Sequence, residues 1–275
     1  MKIDAHQHYW RIDRGDYFWM GPHVQPIFRD FMPEDLASEL TAAGVEKTVV
    51  VQAADTVAET EFLLDLAARN DSIAAVVGWV DVMADDAVAT LKRLTDSGKL
   101  KSIRPMLQDI EDTFYILQPQ AIETLAALPG LGLVFDALVQ PRHLPVIAAL
   151  ADRLPNLSIV VDHCAKPFIA KGVMEPWKSD IAALALRPNV FLKLSGLLTE
   201  AASGAGLEAI APYAAHALTC FGPERTMFGS DWPVLTLASG YQDWIGMAEA
   251  LTAHLTAAEK DAVFGGTAAR FYGIG

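Results

Sequence analysis

The feature that most constrains the fold of this chain is a regular alternation of short apolar runs with longer amphipathic stretches. Eight apolar runs follow one another: KIDAHQ, KTVVVQAA, IAAVVGWV, KSIRPML, GLVFDALV, LSIVVDHC, NVFLKLSG and RTMFGSDW. Several of them are almost continuously hydrophobic and rich in β-branched residues, which is typical of strands buried on both faces of a parallel sheet. We therefore predict eight strands.

The stretches between these runs have the pattern of surface helices. MPEDLASELTAAG, for example, has Pro33 and two acidic residues at its start and Gly44 at its end, as helices commonly do. A strand-then-helix order implies parallel strands, and eight such units without a change in composition indicate a closed barrel. We predict an α/β fold, a single-domain (β/α)8 TIM-type barrel over residues 1–275. An open doubly wound sheet is the competing fold.

Polar or aromatic side chains stand near the ends of the predicted strands. They are His6, His8, Gln52, Trp79, Arg104, Asp136, His163, Ser195 and Asp231. Polar groups in apolar strands are costly to bury unless they are paired or used, and the active site of a (β/α)8 barrel lies at these strand ends. The sequence therefore predicts a functional site at one rim of the barrel.

The first strand carries a His-x-His pair, His6 and His8. Alternate residues of a strand share a face, so two imidazoles at this spacing can converge on one metal ion or one water molecule. A short motif of this kind is weak evidence by itself. Its value depends on partners from the other strands.

Six segments carry a family resemblance that extends over essentially the whole chain. DAHQHYW, VVGWVD, IRPMLQD, VVDHCAKP, LKLSGLLTEA and MFGSDWPV, in this order, resemble the lactone-hydrolysing branch of the amidohydrolase superfamily. That branch includes sugar-acid lactonases, and 2-pyrone-4,6-dicarboxylate lactonase is a more distant relation. The resemblance implies a (β/α)8 barrel that opens a sugar 1,4- or 1,5-lactone to its aldonic acid with an activated water molecule.

The resemblance also implies roles for the polar residues. Asp231 is expected to be the general base, and His6, His8 and His163 are expected to hold either a metal ion or the attacking water. Three histidines and one aspartate suit a single zinc or manganese ion. The same four groups can orient water without a metal, and the residues alone leave both alternatives open.

A second metal ion is not expected. Binuclear relatives use a carboxylated lysine at the end of strand four, whereas Lys99 and Lys101 lie at the beginning of that run and Arg104 takes the rim position. Strand five offers Asp136 where those relatives have a histidine. The motif G-x-S-x-G is also absent, so no serine nucleophile elbow is predicted.

A further set of residues is expected to bind the substrate: Arg104, Gln52, Trp79, Ser195, Trp232 and Trp19. Trp19 belongs to a ring-rich segment, residues 9–31, that is either a flap over the substrate or a lid packed on the barrel mouth. Arg104 is the only arginine at a predicted strand end. A dicarboxylate would require several arginines, so we expect a neutral sugar lactone.

The formal net charge of −13 and a pI near 4.9 disfavour nucleic acid or an anionic membrane as partner. A small-molecule substrate is expected instead. Two cysteines, no apolar leader and no run of about 18 apolar residues favour a cytoplasmic protein. The sequence does not predict an oligomeric state.

Three alternative functions differ from sugar lactone hydrolysis. The first is a lactonase for pyrone or muconolactone dicarboxylates. The second is a metal-dependent decarboxylase of the same superfamily, and the third is a sugar-binding barrel without catalysis.

Overall fold

In the computed structural model, which describes residues 1–275, eight parallel strands form one sheet in the order of the chain. The strands are β1 (Ile3–Gln7), β2 (Lys47–Val51), β3 (Ile73–Gly78), β4 (Leu100–Ile103), β5 (Val134–Ala137), β6 (Ile159–Val161), β7 (Val190–Leu194) and β8 (Thr226–Phe228). Two backbone bonds join the ends of the sheet: His8 N–H donates to the Trp232 carbonyl and Asp231 N–H to the His6 carbonyl, both at 2.7 Å. The predicted (β/α)8 barrel is confirmed.

Helices follow the strands on the outside of the barrel. They are α1 (Pro33–Ala43), α2 (Val57–Arg69), α3 (Ala87–Thr95), α4 (Pro119–Ala127), α5 (Leu144–Arg153), α6 (Trp177–Leu184), α7 (Leu207–Phe221), α8 (Tyr241–Leu251), α9 (Ala257–Asp261) and α10 (Thr267–Tyr272). Helix α1 shows the predicted signals: Asp35 accepts the Met32 N–H at 2.8 Å, and Gly44 ends the helix with φ 65°. No helix combines the length and the apolar character needed to cross a bilayer.

The barrel interior is divided into an apolar part and a polar part. Ile3, Val49 and Val160 belong to a buried apolar cluster that includes Phe271 of α10. Above this layer the interior contains charged and polar side chains, which is unusual because barrel interiors are dominated by branched aliphatic residues. The pairing of β1 with β2 shifts register between Asp4 and Gln7, and such irregularities re-aim side chains next to active sites.

Candidate active site

The four residues expected to do the chemistry meet at the carboxyl ends of the strands. Asp231 Oδ1 lies 3.1 Å from His8 Nε2, 3.7 Å from His6 Nε2 and 3.8 Å from His163 Nε2. The Nε2 atoms of His6 and His8 are 3.2 Å apart. All four side chains are buried. The structure therefore brings together one carboxylate and three imidazoles around a single point.

This donor set suits one divalent metal ion. Ligand atoms about 2.1 Å from a tetrahedral zinc lie roughly 3.4 Å apart, and the separations around Asp231 Oδ1 bracket that value. Ligand atoms of His6, His163 and Asp231 all lie within 4.8 Å of one another. His8 Nε2 lies next to this group, on the side of His6 and Asp231. The site has the nitrogen and oxygen ligands that zinc and manganese accept.

Two of these residues are held in a left-handed backbone conformation. Asp231 has φ 61°, and residues 163–166 all have φ between 50° and 60°. Each non-glycine residue in this conformation costs about 1–2 kcal/mol, and strained residues of this kind cluster at active sites. The turn formed by residues 163–166 directs His163 into the cluster and places Lys166 at the adjoining cavity.

Hydrogen bonds from neighbouring strands orient the rings. His8 Nδ1 lies 2.7 Å from the Val51 carbonyl, which can only accept, so the His8 proton is on Nδ1. His163 Nδ1 is bonded to Ser195 Oγ at 2.9 Å. The Nε2 atoms of both rings are thereby turned toward Asp231. Partners that fix one ring nitrogen in this way are typical of metal-ligating and catalytic histidines.

Asp4 connects the two chain segments that carry His6 and Asp231. Its Oδ1 accepts the His6 N–H at 3.1 Å and the Ser230 N–H at 2.9 Å, and its Oδ2 accepts the Tyr241 hydroxyl at 3.0 Å. Complete burial raises the pKa of Asp4 to about 6. The sequence analysis missed this residue, although an aspartate within an apolar strand two residues before His6 was an available signal.

A second group of charges lies directly below the cluster, and two of its members, Lys193 and Asp162, were missed. Lys193 makes ion pairs with Asp136 and Asp162, and Arg104 pairs with Asp162 at 3.3 Å. The side chains of Lys193, Asp136 and Asp162 are completely buried. A lysine in the apolar run NVFLKLSG was the available signal, but its partners come from other strands.

The charge states of the cluster follow from burial and proximity. Burial by itself would raise the pKa of Asp231, but the adjacent histidines, His163 foremost, hold it below its ordinary value. Burial lowers the pKa of His163 to about 4. At neutral pH, therefore, Asp231 is an ionised carboxylate that can accept a proton, and His163 is neutral.

A cavity of about 260 Å³ opens onto this cluster. Its polar and aromatic walls include His8, Trp19, Arg104, His163, Lys166 and Asp231. Two cations thus face the cavity instead of the single arginine expected. Arg104 also donates to Asp162 and to the Gln52 carbonyl, and Lys166 lies 3.6 Å from Glu200. Both cations are therefore partly neutralised by the protein.

Trp79 does not line the cavity at the cluster. Trp79 lines a separate cavity of about 550 Å³, which shares Trp19, Met106 and Asp109 with the first. Thr60 Oγ1 accepts the Trp79 N–H at 2.7 Å and donates to its carbonyl at 2.9 Å. These bonds hold the chain after β3 against α2.

Three other residues expected to contact the substrate lie behind the cavity wall. Gln52 Nε2 donates to the Arg104 carbonyl at 2.5 Å, and Ser195 is bonded to His163. Trp232 packs against Tyr9 and Phe31, with ring centroids 6.0 and 5.2 Å away. These side chains support the residues that line the cavity. Of the predicted substrate-binding set, Arg104 and Trp19 face the cavity directly.

The ring-rich segment after β1 packs on the barrel mouth as a lid. Trp10, Tyr17 and Phe31 are buried and form one aromatic cluster with Trp19. The Trp19 indole N–H donates to the Ala53 carbonyl at 2.7 Å. Of the two readings of this segment, the structure supports the packed lid, with Trp19 as the ring that reaches the cavity.

Replacement of Gly196 with alanine tests how tightly His163 is packed. Gly196 has φ 63°, and a Cβ atom there would lie 2.5 Å from His163 Nδ1. We expect a loss of stability of at least about 1–2 kcal/mol together with a lower kcat, measured by urea denaturation and by steady-state kinetics. Gly204→Ala is the matched control, because Gly204 has φ 76° but no atom within 4 Å. Equal effects of the two substitutions would argue against the packing constraint.

Replacement of Glu59 with glutamine tests the loop that holds Trp19. The Glu59 carboxylate accepts the N–H groups of Ala53 and Ala54, and burial raises its pKa from an ordinary value of 4.5 to about 8. Between these values the folded state keeps a proton that the unfolded state has released. The free energy of unfolding contributed by Glu59 therefore falls as the pH rises from about 5 to 8.

Glutamine keeps the accepting oxygen but does not titrate. We expect the decline in stability from about pH 5 to pH 8 to be smaller in the Glu59→Gln variant than in the parent, as measured by urea denaturation at both pH values. Glu123→Gln, at an exposed position on α4, provides the control. An unchanged pH dependence in Glu59→Gln would show that Glu59 is ionised in the folded protein.

Comparisons with known proteins agree with the geometry of the site. The profile of the amidohydrolase family matches residues 3–274. The chain is 44% identical to an L-fucono-1,5-lactonase of Burkholderia ambifaria over 99% of this chain and 96% of that protein. It is 37% identical to an L-fucono-1,5-lactonase of Burkholderia multivorans over 100% of this chain and 96% of that protein. A crystal structure of a zinc-bound amidohydrolase from B. multivorans superposes with a TM-score of 0.95 at 37% identity, and the match covers all of both chains. The chain belongs to the amidohydrolase family.

Proposed function

We propose that this protein is a lactonase that hydrolyses L-fucono-1,5-lactone or a closely similar sugar-acid lactone to the aldonic acid. The observation that carries the proposal is the ionised Asp231 at the floor of a cavity of about 260 Å³, with three imidazole Nε2 atoms within 3.8 Å of its Oδ1. Full-length relatives with this activity support the substrate class. Its two cysteines are free thiols, which supports a cytoplasmic location.

The reaction needs one water molecule, one base and donors for the carbonyl oxygen. Asp231 takes a proton from water held by the imidazoles, and the water oxygen bonds to the lactone carbonyl carbon. The Arg104 guanidinium, which faces the same cavity, stabilises the negative charge that develops on the carbonyl oxygen. The bond from that carbon to the ring oxygen then breaks, and Asp231 returns its proton to the departing oxygen. The product is an open hydroxy acid.

His6, His163 and Asp231, with His8 beside them, would hold a divalent metal ion. When bound, such an ion lowers the pKa of water and polarises a carbonyl group. The protein's own part is to keep His6 and His163 neutral and to exclude bulk water. Burial of these side chains serves both purposes.

The charges at the cavity favour a neutral lactone over a dicarboxylate. Arg104 and Lys166 are the cations in the wall, and each already faces a carboxylate of the protein. Asp109 and Asp231 also line the cavity. A ligand with two carboxylates would meet like charges here, whereas sugar hydroxyl groups can bond to both kinds of side chain.

A panel of lactones tests the proposal directly. Acid release is followed with a pH indicator for L-fucono-1,5-lactone, other L- and D-aldonolactones and 2-pyrone-4,6-dicarboxylate, before and after chelation, with metal content measured on the same sample. We expect turnover of the neutral 1,5-lactones and little of the dicarboxylate. Preferential turnover of the dicarboxylate would overturn the substrate assignment. Release of carbon dioxide from a carboxylic acid, without opening of any lactone, would identify a decarboxylase.

A further inference from the structure

Lys193 lies under the histidine cluster and touches one of its rings. Its Nζ atom is 3.1 Å from His6 Nδ1 and donates to Asp136 Oδ2. An ammonium group has N–H donors and no acceptor. In this hydrogen bond, therefore, Lys193 donates and His6 Nδ1 accepts.

The rest of the local hydrogen bonding agrees with that direction. Because a nitrogen that accepts a hydrogen bond carries no proton, the His6 ring has a single proton. With Nδ1 as acceptor, that proton is on Nε2, which lies 3.2 Å from His8 Nε2. His8 has a proton on Nδ1, directed at the Val51 carbonyl. A proton on His6 Nε2 is therefore directed toward His8 Nε2 and toward the Asp231 carboxylate, whose Oδ1 lies 3.7 Å from His6 Nε2.

Arg104 offers a weaker competing contact. Its Nη1 lies 3.4 Å from His6 Nε2, which would favour a proton on Nδ1 instead. The same Nη1 donates to Asp162 Oδ2 at 3.3 Å. The Lys193 contact, at 3.1 Å, is the shorter of the two and therefore favours a proton on Nε2.

Binding of a metal requires the opposite arrangement. A histidine that ligates through Nε2 needs its lone pair there, and its Nδ1–H is normally donated to a carboxylate or carbonyl oxygen. Such an acceptor is present: Asp162 Oδ1 lies 3.3 Å from His6 Nδ1. Although it is buried and 3.1 Å from Lys193 Nζ, this oxygen makes no hydrogen bond of good geometry.

We propose that Lys193 and Asp162 are positioning residues that select between two tautomers of His6. When Lys193 donates to Nδ1, the His6 proton is on Nε2, and His6 is a hydrogen-bond donor in a metal-free site. With the proton on Nδ1, donated to Asp162, His6 is a metal ligand. The proposal concerns the ring itself and does not depend on which lactone the enzyme hydrolyses.

The first test observes His6 in the full-length protein. The ¹⁵N chemical shifts of histidine ring nitrogens distinguish the two tautomers, and the His6 signals are assigned by their loss in His6→Asn. After chelation we expect the proton on Nε2, and after addition of zinc we expect it on Nδ1. A proton on Nδ1 in the metal-free protein would overturn the proposal.

Substitutions provide the second test. Lys193→Met is expected to move the His6 proton to Nδ1 without metal and to tighten zinc binding at least about 10-fold, whereas Asp162→Asn is expected to weaken zinc binding by about 10- to 100-fold. Zinc affinity is measured by competition with a chromophoric chelator, with Lys171→Met as the control. Removing the positive charge of Lys193 tightens zinc binding whatever the tautomer of His6. The His6 tautomer in Lys193→Met is therefore the decisive measurement. An unchanged His6 tautomer in Lys193→Met would refute the role of Lys193.

Should Lys193→Met fail to fold, the spectra of the parent protein and of Asp162→Asn decide the question. Loss of lactonase activity would not count against the proposal if the tautomer behaves as described. Conversely, full lactonase activity with the wrong tautomer would refute it.

Discussion

Replacement of Asp231 with asparagine is expected to lower kcat for the lactone by about 10³-fold, because general-base catalysis typically contributes 10²- to 10⁴-fold. Asparagine cannot accept the proton of the attacking water, and its amide would meet the imidazole nitrogens that now surround a carboxylate. The backbone should tolerate the change, since asparagine adopts the left-handed conformation of Asp231 (φ 61°) more readily than most residues do. Steady-state kinetics and circular dichroism would measure activity and folding.

Asp65→Asn is the matched control, because Asp65 is 76% exposed on α2 and should leave both measurements unchanged. Retention of normal turnover by Asp231→Asn, in folded protein, would remove Asp231 from the mechanism. A loss of folding would instead indicate that this carboxylate is required to pair the three histidines.

The second large effect is expected from His163→Asn, with a loss of at least about 10²-fold in kcat. His163 is completely buried by its surroundings, its pKa is lowered to about 4, and its Nε2 lies 3.8 Å from Asp231 Oδ1. Asparagine suits the left-handed backbone at this position (φ 53°) but does not reach the cluster as the imidazole does. Kinetics and bound metal would be measured on the same preparation.

His254→Asn, at an exposed position, controls for the loss of a histidine as such. If His163→Asn binds less zinc and turns over more slowly, the ring serves as a ligand. If it turns over more slowly with or without metal, the ring orients water. Normal activity in this variant would mean that His163 is structural.

Much of the fold could be predicted because the hydrophobic pattern of the sequence specifies the order of strands and helices. Seven of the eight apolar runs contain their strands entirely, and β4 begins at Leu100, one residue before its run. The strands are shorter than the runs: β6 and β8 each have three residues. Residues such as His163 and Asp231 lie beyond the last residues of β6 and β8, where the backbone turns to direct side chains into the cavity. The hydrophobic pattern predicts which residues are buried, but it does not predict the residue at which the pairing of two strands ends.

The functional residues were predicted unequally. His6, His8, His163 and Asp231 were found because each follows or ends an apolar strand in a recognisable motif. Trp79 satisfied the same criterion, yet it lines a different cavity, and Thr60 of α2 binds its backbone N–H and carbonyl. A position at a strand end predicts that a residue lies near the barrel rim. Which cavity the residue lines depends on contacts with other helices and strands.

By itself, the sequence predicted the barrel, its family and the four residues proposed to carry the chemistry, because periodicity and short motifs are local properties of the chain. Tertiary structure alone decided which atoms face one another. Lys193 of β7 and Asp162 after β6 contact His6 of β1 from two other strands, and Lys166 reaches the cavity through a left-handed turn of non-glycine residues that local preference disfavours. The cost of burying those charges is offset only when all of their partners are in place, and that condition belongs to the folded barrel as a whole.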